Sequence, residues 1–175
     1  AMKRSALRWR QSCTERMHRE MTLEFTPVSN KTMEDTTMIK LIIGKKGSGK
    51  TKLLIDKVNT AVQNTNGYVV CIEKGMKLTF EIDHAVRLID ADEYAIKGYD
   101  AFYGFVSGVL AGNYDIKEIF IDGILKIGEK AGAKDYEGLG ALLEKLYKQI
   151  PSDVTLVFTV SADQTDLPDS VLKFS

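Results

Sequence analysis

The sequence predicts an α/β fold: a mainly parallel sheet flanked by helices. Three observations carry that expectation. Short Val- and Ile-rich runs of strand length alternate with helical stretches from Met38 to Val160. Several of these runs read as near-continuous apolar segments, as strands buried on both faces do. They end at Gly44, Glu73, Asp90, Asp122 and Ser161, and ligands in such sheets bind beyond the strand C-termini.

The elements follow in order. Met38 to Ile43 reads as a strand, and Lys50 to Asn64 as a helix with Leu54, Val58, Ala61 and Val62 on one face. Asn66-Gly67 is a turn into the strand Tyr68–Ile72, and Lys74-Gly75 turns the chain again. Leu78-Thr79-Phe80-Glu81-Ile82 alternates and predicts a short edge strand, with Asp83-His84 as its turn. Ala85 to Ile89 predicts another strand, ending at Asp90. Tyr99 to Ala111 is a mostly apolar helix stopped by Gly112-Asn113. Glu118 to Ile121 leads to Asp122, followed by a glycine-broken stretch to Gly132. Tyr136 to Ile150 carries a leucine stripe and stops at Pro151; Val154 to Val160 is the last strand.

Between the first strand and the first helix lies Gly44-Lys45-Lys46-Gly47-Ser48-Gly49-Lys50-Thr51. It satisfies the phosphate-loop pattern G-x-x-x-x-G-K-[ST] at every constrained position. Glycines let consecutive backbone N–H groups turn inward as an anion nest. The following helix adds the positive end of its dipole, Lys50 a mobile charge at the β/γ-phosphates, and Thr51 a hydroxyl for Mg²⁺. Strand, glycine loop and helix together are the context this motif requires, against the plainer reading of a glycine-rich turn. A nucleoside triphosphate and P-loop NTPase architecture are the expectation.

Such a loop needs a carboxylate at the end of a buried strand to hold Mg²⁺, usually through water. Asp122, after Ile119-Phe120-Ile121, has that form; Asp90, helped by Asp92 and Glu93, is the rival. Asp122 is preferred because its strand is more uniformly apolar. A strand and a helix also separate it from the second strand, the order expected when an extra strand lies between the two motif strands. Thr159 and Ser161 stand where they could meet the γ-phosphate or water. Glu73 is placed as a catalytic candidate to orient water, beside Lys50 and Asp122. His84 reads as an exposed turn residue, and Arg87 as solvent-facing or covering a core edge.

With 175 residues and charge balanced at 24 basic against 24 acidic side chains, nothing global points to nucleic acid or an anionic membrane. Cys13 and Cys71 match no metal spacing and predict reduced thiols of a cytoplasmic protein. No apolar run approaches the length of a membrane span. Five of the six arginines and five of the six methionines lie at or before Met38. Residues 1–37 are therefore expected to be a disordered leader or extension, with a basic partner-binding arm and a targeting peptide as alternatives. Residues 38–175 form the nucleotide-binding domain.

These motifs resemble the additional-strand, RecA-like branch of the P-loop NTPases. Through K-L-I-I-G-K-K-G-S-G-K-T, C-I-E-K-G, G-Y-D-A-F-Y-G-F and V-S-A-D, the core is also similar to a group of short bacterial ATP-binding proteins. Some of these carry names borrowed from the twitching-motility ATPase, whose extra domain and signature boxes exceed the core read here. The resemblance implies ATP rather than GTP, and no N/T-K-x-D base-reading motif is present. Many hydrolytic members of the branch place Glu directly after the Mg²⁺-binding Asp; here that residue is Gly123. The expectation is a slow Mg²⁺-dependent ATPase or nucleotide switch, with a partner protein able to supply an arginine finger and Arg87 as the only internal one. A non-catalytic nucleotide-dependent interaction module is the alternative. A small-molecule kinase is a third reading, disfavoured because the core is poor in arginine for a lid.

A chain beginning at Met38 should fold and bind nucleotide as well as the full chain. Thermal melting and calorimetric titration of both forms with ATP and Mg²⁺ check this; a markedly lower melting temperature overturns it.

Overall fold

The computed structural model describes residues 38–75, 77–78, 80–129 and 132–175, all within the unit Thr36–Ser175. The expected leader, residues 1–37, lies outside the described residues. Among those described, five strands form one sheet: β1 (Ile39–Gly44), β2 (Tyr68–Glu73), β3 (Arg87–Asp90), β4 (Ile116–Ile121) and β5 (Thr155–Ser161). The spatial order is β1-β5-β4-β2-β3 and every neighbouring pair is parallel. The helices are α1 (Lys50–Asn64), α2 (Tyr99–Gly112), the single turn α3 (Ile124–Ile127), α4 (Tyr136–Gln149) and the short α5 (Asp169–Leu172). This is the α/β class the alternation predicted.

Side-chain alternation along the strands separates two cores. Val70, Ile72, Ile119, Ile121, Leu156, Phe158 and Val160 face α2, α3 and α4, whose Phe102, Val106, Ile124, Leu139, Leu143 and Leu146 are buried against them. The intervening residues Val69, Cys71, Phe120 and Val157 face α1, through Leu54, Ile55, Val58 and Ala61. Each strand is thus apolar on both sides, which is why the runs read as continuous. Burial pushes the Cys71 thiol up to about 12, so it behaves as a small apolar side chain rather than a nucleophile.

Two local readings change. Leu78–Ile82 forms no strand: Glu81 and Ile82 N–H both donate to the Leu78 carbonyl, at 3.0 and 3.2 Å, in a tight turn. Leu78 and Ile82 are both buried against α1 while Phe80 stands in solvent. A turn brings residues four apart to one side as readily as a strand does. The Glu73 carboxylate takes the N–H groups of Lys77 (2.8 Å) and Leu78 (3.1 Å) that a ladder would need. Asn59 of α1 fixes the same loop, donating to the Glu81 carbonyl and accepting from Asp83 N–H, each at 2.9 Å. Strand β3 begins at Arg87 rather than Ala85, because Val86 N–H closes the turn onto the Asp83 carbonyl at 3.0 Å. Beyond Ser161, a 3₁₀ turn (Gln164–Asp166) and α5 complete the described chain.

One glycine locks the two sides of the Asp122 region together. Gly128 has φ −85°, which any residue adopts, yet a Cβ there would overlap the Tyr99 ring. Tyr99 passes beneath it to donate its hydroxyl to the Asp135 carbonyl at 2.9 Å, and Gly98 N–H reaches the Ile127 carbonyl at 2.8 Å. Gly128→Ala should therefore cost about 1–3 kcal/mol through overpacking alone. Thermal denaturation should show a loss of about 2–10 °C for a domain of this size, and an unchanged melting temperature would refute the close approach.

Candidate functional site

The loop Lys45–Gly49 needs its glycines for definite reasons. Gly47 and Gly49 both hold φ +82°, and Gly49 is the N-terminal cap of α1. At Gly44 a Cβ would stand 2.5 Å from Ser48 Oγ, so a side chain there would displace the hydroxyl that Lys50 bonds. The closure is a Ser48 N–H to Lys45 carbonyl bond of 3.2 Å. Lys50 lies folded along this loop, donating to the Lys45 carbonyl at 2.7 Å and to Ser48 Oγ at 3.3 Å. Among the described residues it is one of three buried polar or charged side chains, with Glu73 and Thr159. Burial pushes its ammonium below the ordinary lysine value, Asp122 opposes that shift, and Lys134 and Lys126 add to it. No acidic residue occupies the first turn of α1, so the helix dipole there meets no carboxylate from its own turn.

Asp122 is drawn to the same place by the sheet. Its N–H extends the β4 ladder to the Ile72 carbonyl at 2.9 Å, which holds the side chain at the C-terminal edge. Asp122 Oδ1 accepts from Thr159 Oγ1 at 2.8 Å and from Thr51 Oγ1 at 3.3 Å. Thr159 Oγ1 in turn accepts from Gly123 N–H at 2.7 Å. Gly123 has φ +67°, a left-handed turn that aims its N–H at Thr159 and starts α3. The hydroxyl of Thr159, 1% exposed, thus joins β5 to both residues at the end of β4.

These groups line one cleft of about 610 Å³, within the range of small-molecule sites. Its walls include Lys46, Gly47, Gly49, Lys50, Thr51, Asp122, Thr159 and Ser161, all at positions the sequence had singled out for the loop, the metal or the last strand's end. Lys126, Glu129 and Lys134 also line it, and none was anticipated. Lys126 and Glu129 sit on the glycine-broken stretch after Asp122 and Lys134 just beyond it, where no periodicity or motif marks them. Gly44 and Lys45 instead border a second cavity of about 540 Å³ beside Asp163 and Gln164. Lys45 Nζ pairs there with Asp163 Oδ2 at 2.7 Å, which raises the lysine and lowers the carboxyl from their ordinary values. Ser48 contributes to the loop's closure rather than to the cleft wall.

Glu73 lies elsewhere. It is 2% exposed, does not line the cleft, and spends its carboxylate on Lys77 and Leu78 N–H. The geometry gives it the work of holding a loop, not of orienting water. Asp90 is similarly engaged: its Oδ1 accepts from Gly75 and Asp92 N–H, each at 3.0 Å. Arg87 opens β3, three residues before Asp90, so its backbone starts about 10 Å below the strand ends. That removes it as an internal finger.

Among the described residues, no group of three or more His, Cys, Asp or Glu converges as a metal cage. The pair Thr51 and Asp122 is a hydroxyl and a carboxylate. Such hard oxygen donors suit Mg²⁺, which is commonly bound by one or two carboxylates plus water and substrate phosphates. A hydroxyl that donates its proton to Asp122 still keeps lone pairs for a cation. Among the described residues, no helix is long and apolar enough to cross a membrane. No model of a known protein family matches the chain, and no curated protein matches it.

Thr159→Val keeps the shape but leaves the buried Gly123 N–H without its acceptor, while Thr159→Ser keeps the hydroxyl. The valine variant should be destabilised by about 1–3 kcal/mol and the serine variant by less. Chemical denaturation of the three proteins checks the order; equal midpoints for valine and threonine would discount the relay.

Proposed function

We propose that this chain is a P-loop nucleotide-binding protein of the additional-strand branch. It takes ATP with Mg²⁺ and acts as a slow ATPase or nucleotide switch. The observation that carries the reading is the meeting of Thr51 and Asp122, 71 residues apart in sequence, beside Lys50 in one cleft. A metal-binding hydroxyl, a strand-end carboxylate and a phosphate-binding lysine are the three side chains such a site needs.

Further features support it. Strand β5 lies between β1, which leads into the glycine loop, and β4, which leads to Asp122; that interposed strand is what the branch implies. Gly47 and Gly49 free the loop's backbone donors to turn toward an anion. When bound, Mg²⁺ supplies charge neutralisation at the terminal phosphates. Thr51 and Asp122 would hold it, with Thr159 orienting Asp122, and Lys50 would supply its ammonium to the phosphates.

The slow rate follows from Gly123. No carboxylate adjoins Asp122 to polarise water, and the left-handed turn at this position disfavours any side chain. The kinase reading loses its arginine with Arg87, at the far end of its strand. An interaction module that binds without turning over uses the same residues, and the turnover rate separates it from the switch. ATP over GTP rests on the resemblance.

Lys50→Ala should remove most ATP–Mg²⁺ affinity while the apo protein keeps its melting temperature. Asp122→Asn should weaken Mg²⁺-dependent binding and turnover more than Asp90→Asn, whose parent carboxylate serves a loop. Calorimetry and ATPase rates over a Mg²⁺ titration test all three. Unchanged affinity in Lys50→Ala rejects the reading, and metal dependence lost only in Asp90→Asn exchanges the two aspartates.

A further inference from the structure

Lys45, Lys74, Lys117, Lys145 and Lys173 each stand within ion-pair distance of a carboxylate. Lys126 and Lys134 are among several described lysines with no described carboxylate that near, and what sets these two apart is their place. Both line the cleft beside Asp122, with Lys46 and Lys50.

Their placement is specific. Lys126 belongs to α3, and its side chain lies back across Gly123, with Cδ, Cε and Nζ all 3.4–3.6 Å from the point a Gly123 Cβ would occupy. The side chain therefore packs over the Gly123 turn, at the residue that follows Asp122. The backbone of α3 is held for this, since Lys126 N–H bonds the Gly123 carbonyl at 2.8 Å and the Lys126 carbonyl accepts from Lys74 Nζ at 3.0 Å. Lys134 reaches from the other side and donates to the Ser161 carbonyl at 2.7 Å, at the C-terminal end of β5. Four lysines against Asp122 and Glu129 leave the cleft net positive. Bringing like charges together costs energy unless an anion joins them.

We propose that Lys126 and Lys134 form a cation clamp, supplied by this chain itself, that closes on the γ-phosphate and makes the site prefer a triphosphate to a diphosphate. The proposal rests on the nucleotide reading above and adds to it the residues that tell the two nucleotides apart. Lys126 beside Asp122 and Lys134 beside Ser161 flank the place next to the Thr51–Asp122 pair, where the terminal phosphate of a bound triphosphate would lie. A charge-assisted bond from each ammonium forms only when that phosphate is present. An ammonium at each flank does the charge stabilisation that a partner's arginine would otherwise bring, without the bidentate geometry of a guanidinium. The expectation of an arginine finger from a partner is thereby unnecessary for nucleotide discrimination.

The test is calorimetric titration of the full chain with the β,γ-imido analogue of ATP and with ADP, both with Mg²⁺. The parent is compared with Lys126→Ala, Lys134→Ala, the double alanine variant and the double arginine variant. Both positions are exposed, so the variants should melt as the parent does. Each single alanine should lose about ten-fold or more in triphosphate affinity and far less in ADP affinity. The double variant should bind the two nucleotides nearly alike, and the double arginine variant should keep the preference. If the parent binds both nucleotides and the double alanine variant keeps the parent's preference, the clamp is wrong and the nucleotide reading stands. If both affinities fall equally, the lysines act as general electrostatic attractors and the clamp is again wrong. If the parent binds neither nucleotide, both proposals fall together.

Discussion

The hydroxyl of Thr159 is the contact on which the cleft depends. It is buried at the end of the strand lying between the other two strands of the site, and it uses both of its roles. It accepts from Gly123 N–H and donates to Asp122. The interposed strand sets β1 and β4 two strand spacings apart, about 10 Å. Asp122 therefore cannot meet the glycine loop directly; it meets Thr51, the second residue of α1, above the intervening strand. Without a hydroxyl beneath it, the Asp122 carboxylate would have one orienting contact from an exposed side chain rather than two. The sheet order and the side-chain chemistry are one constraint seen at two scales.

What the sequence made legible was what is local. Gly44 to Thr51 could be read because the reasons for each residue lie within the loop: left-handed φ at Gly47 and Gly49, the Gly44–Ser48 contact, and the cation that folds back on it. The five strand ends could be read because apolar runs end where the sheet ends. Asp122 could be preferred to Asp90 from the apolar character of its strand. The structure adds that Asp90 is committed to Gly75 and Asp92 N–H.

The rest was hidden because its causes are distant or ambiguous. Leu78–Ile82 alternates like a strand, but a carboxylate from the end of β2 takes the donors that pairing would use. The same contact accounts for Glu73, a strand-end acid that the pattern alone could not tell from a catalytic one. Lys126 lies in an aperiodic, glycine-broken stretch and Lys134 just past its end, and their meaning comes from Gly123 and from a carbonyl 27 residues beyond Lys134. Arg87 was a candidate finger only as the core's single arginine, and its place at the start of β3 was already at odds with that role; it does not line the cleft.

Gly123 is where two demands meet. Its left-handed φ lets the chain leave β4, aim an N–H at Thr159 and begin α3 within one residue. A glutamate in that conformation would carry a steric cost of about 1–2 kcal/mol, and its Cβ would meet the Lys126 side chain only in ordinary contact, so the backbone and not crowding disfavours it. The position therefore gives up an adjacent base in exchange for the turn that orders Asp122. On the proposed reading, metal binding and hydrolytic speed become separable properties of this cleft. The first is built from Thr51, Asp122 and Thr159, which the fold holds together. The second depends on a carboxylate arriving from outside that set, and Glu129 is the cleft's acidic residue besides Asp122. It stands past the end of α3, exposed, on the segment that carries Lys126. On that reading the groups that would hold a nucleotide and the group that could polarise water stand on different walls, which is the physical difference between a switch and a fast hydrolase.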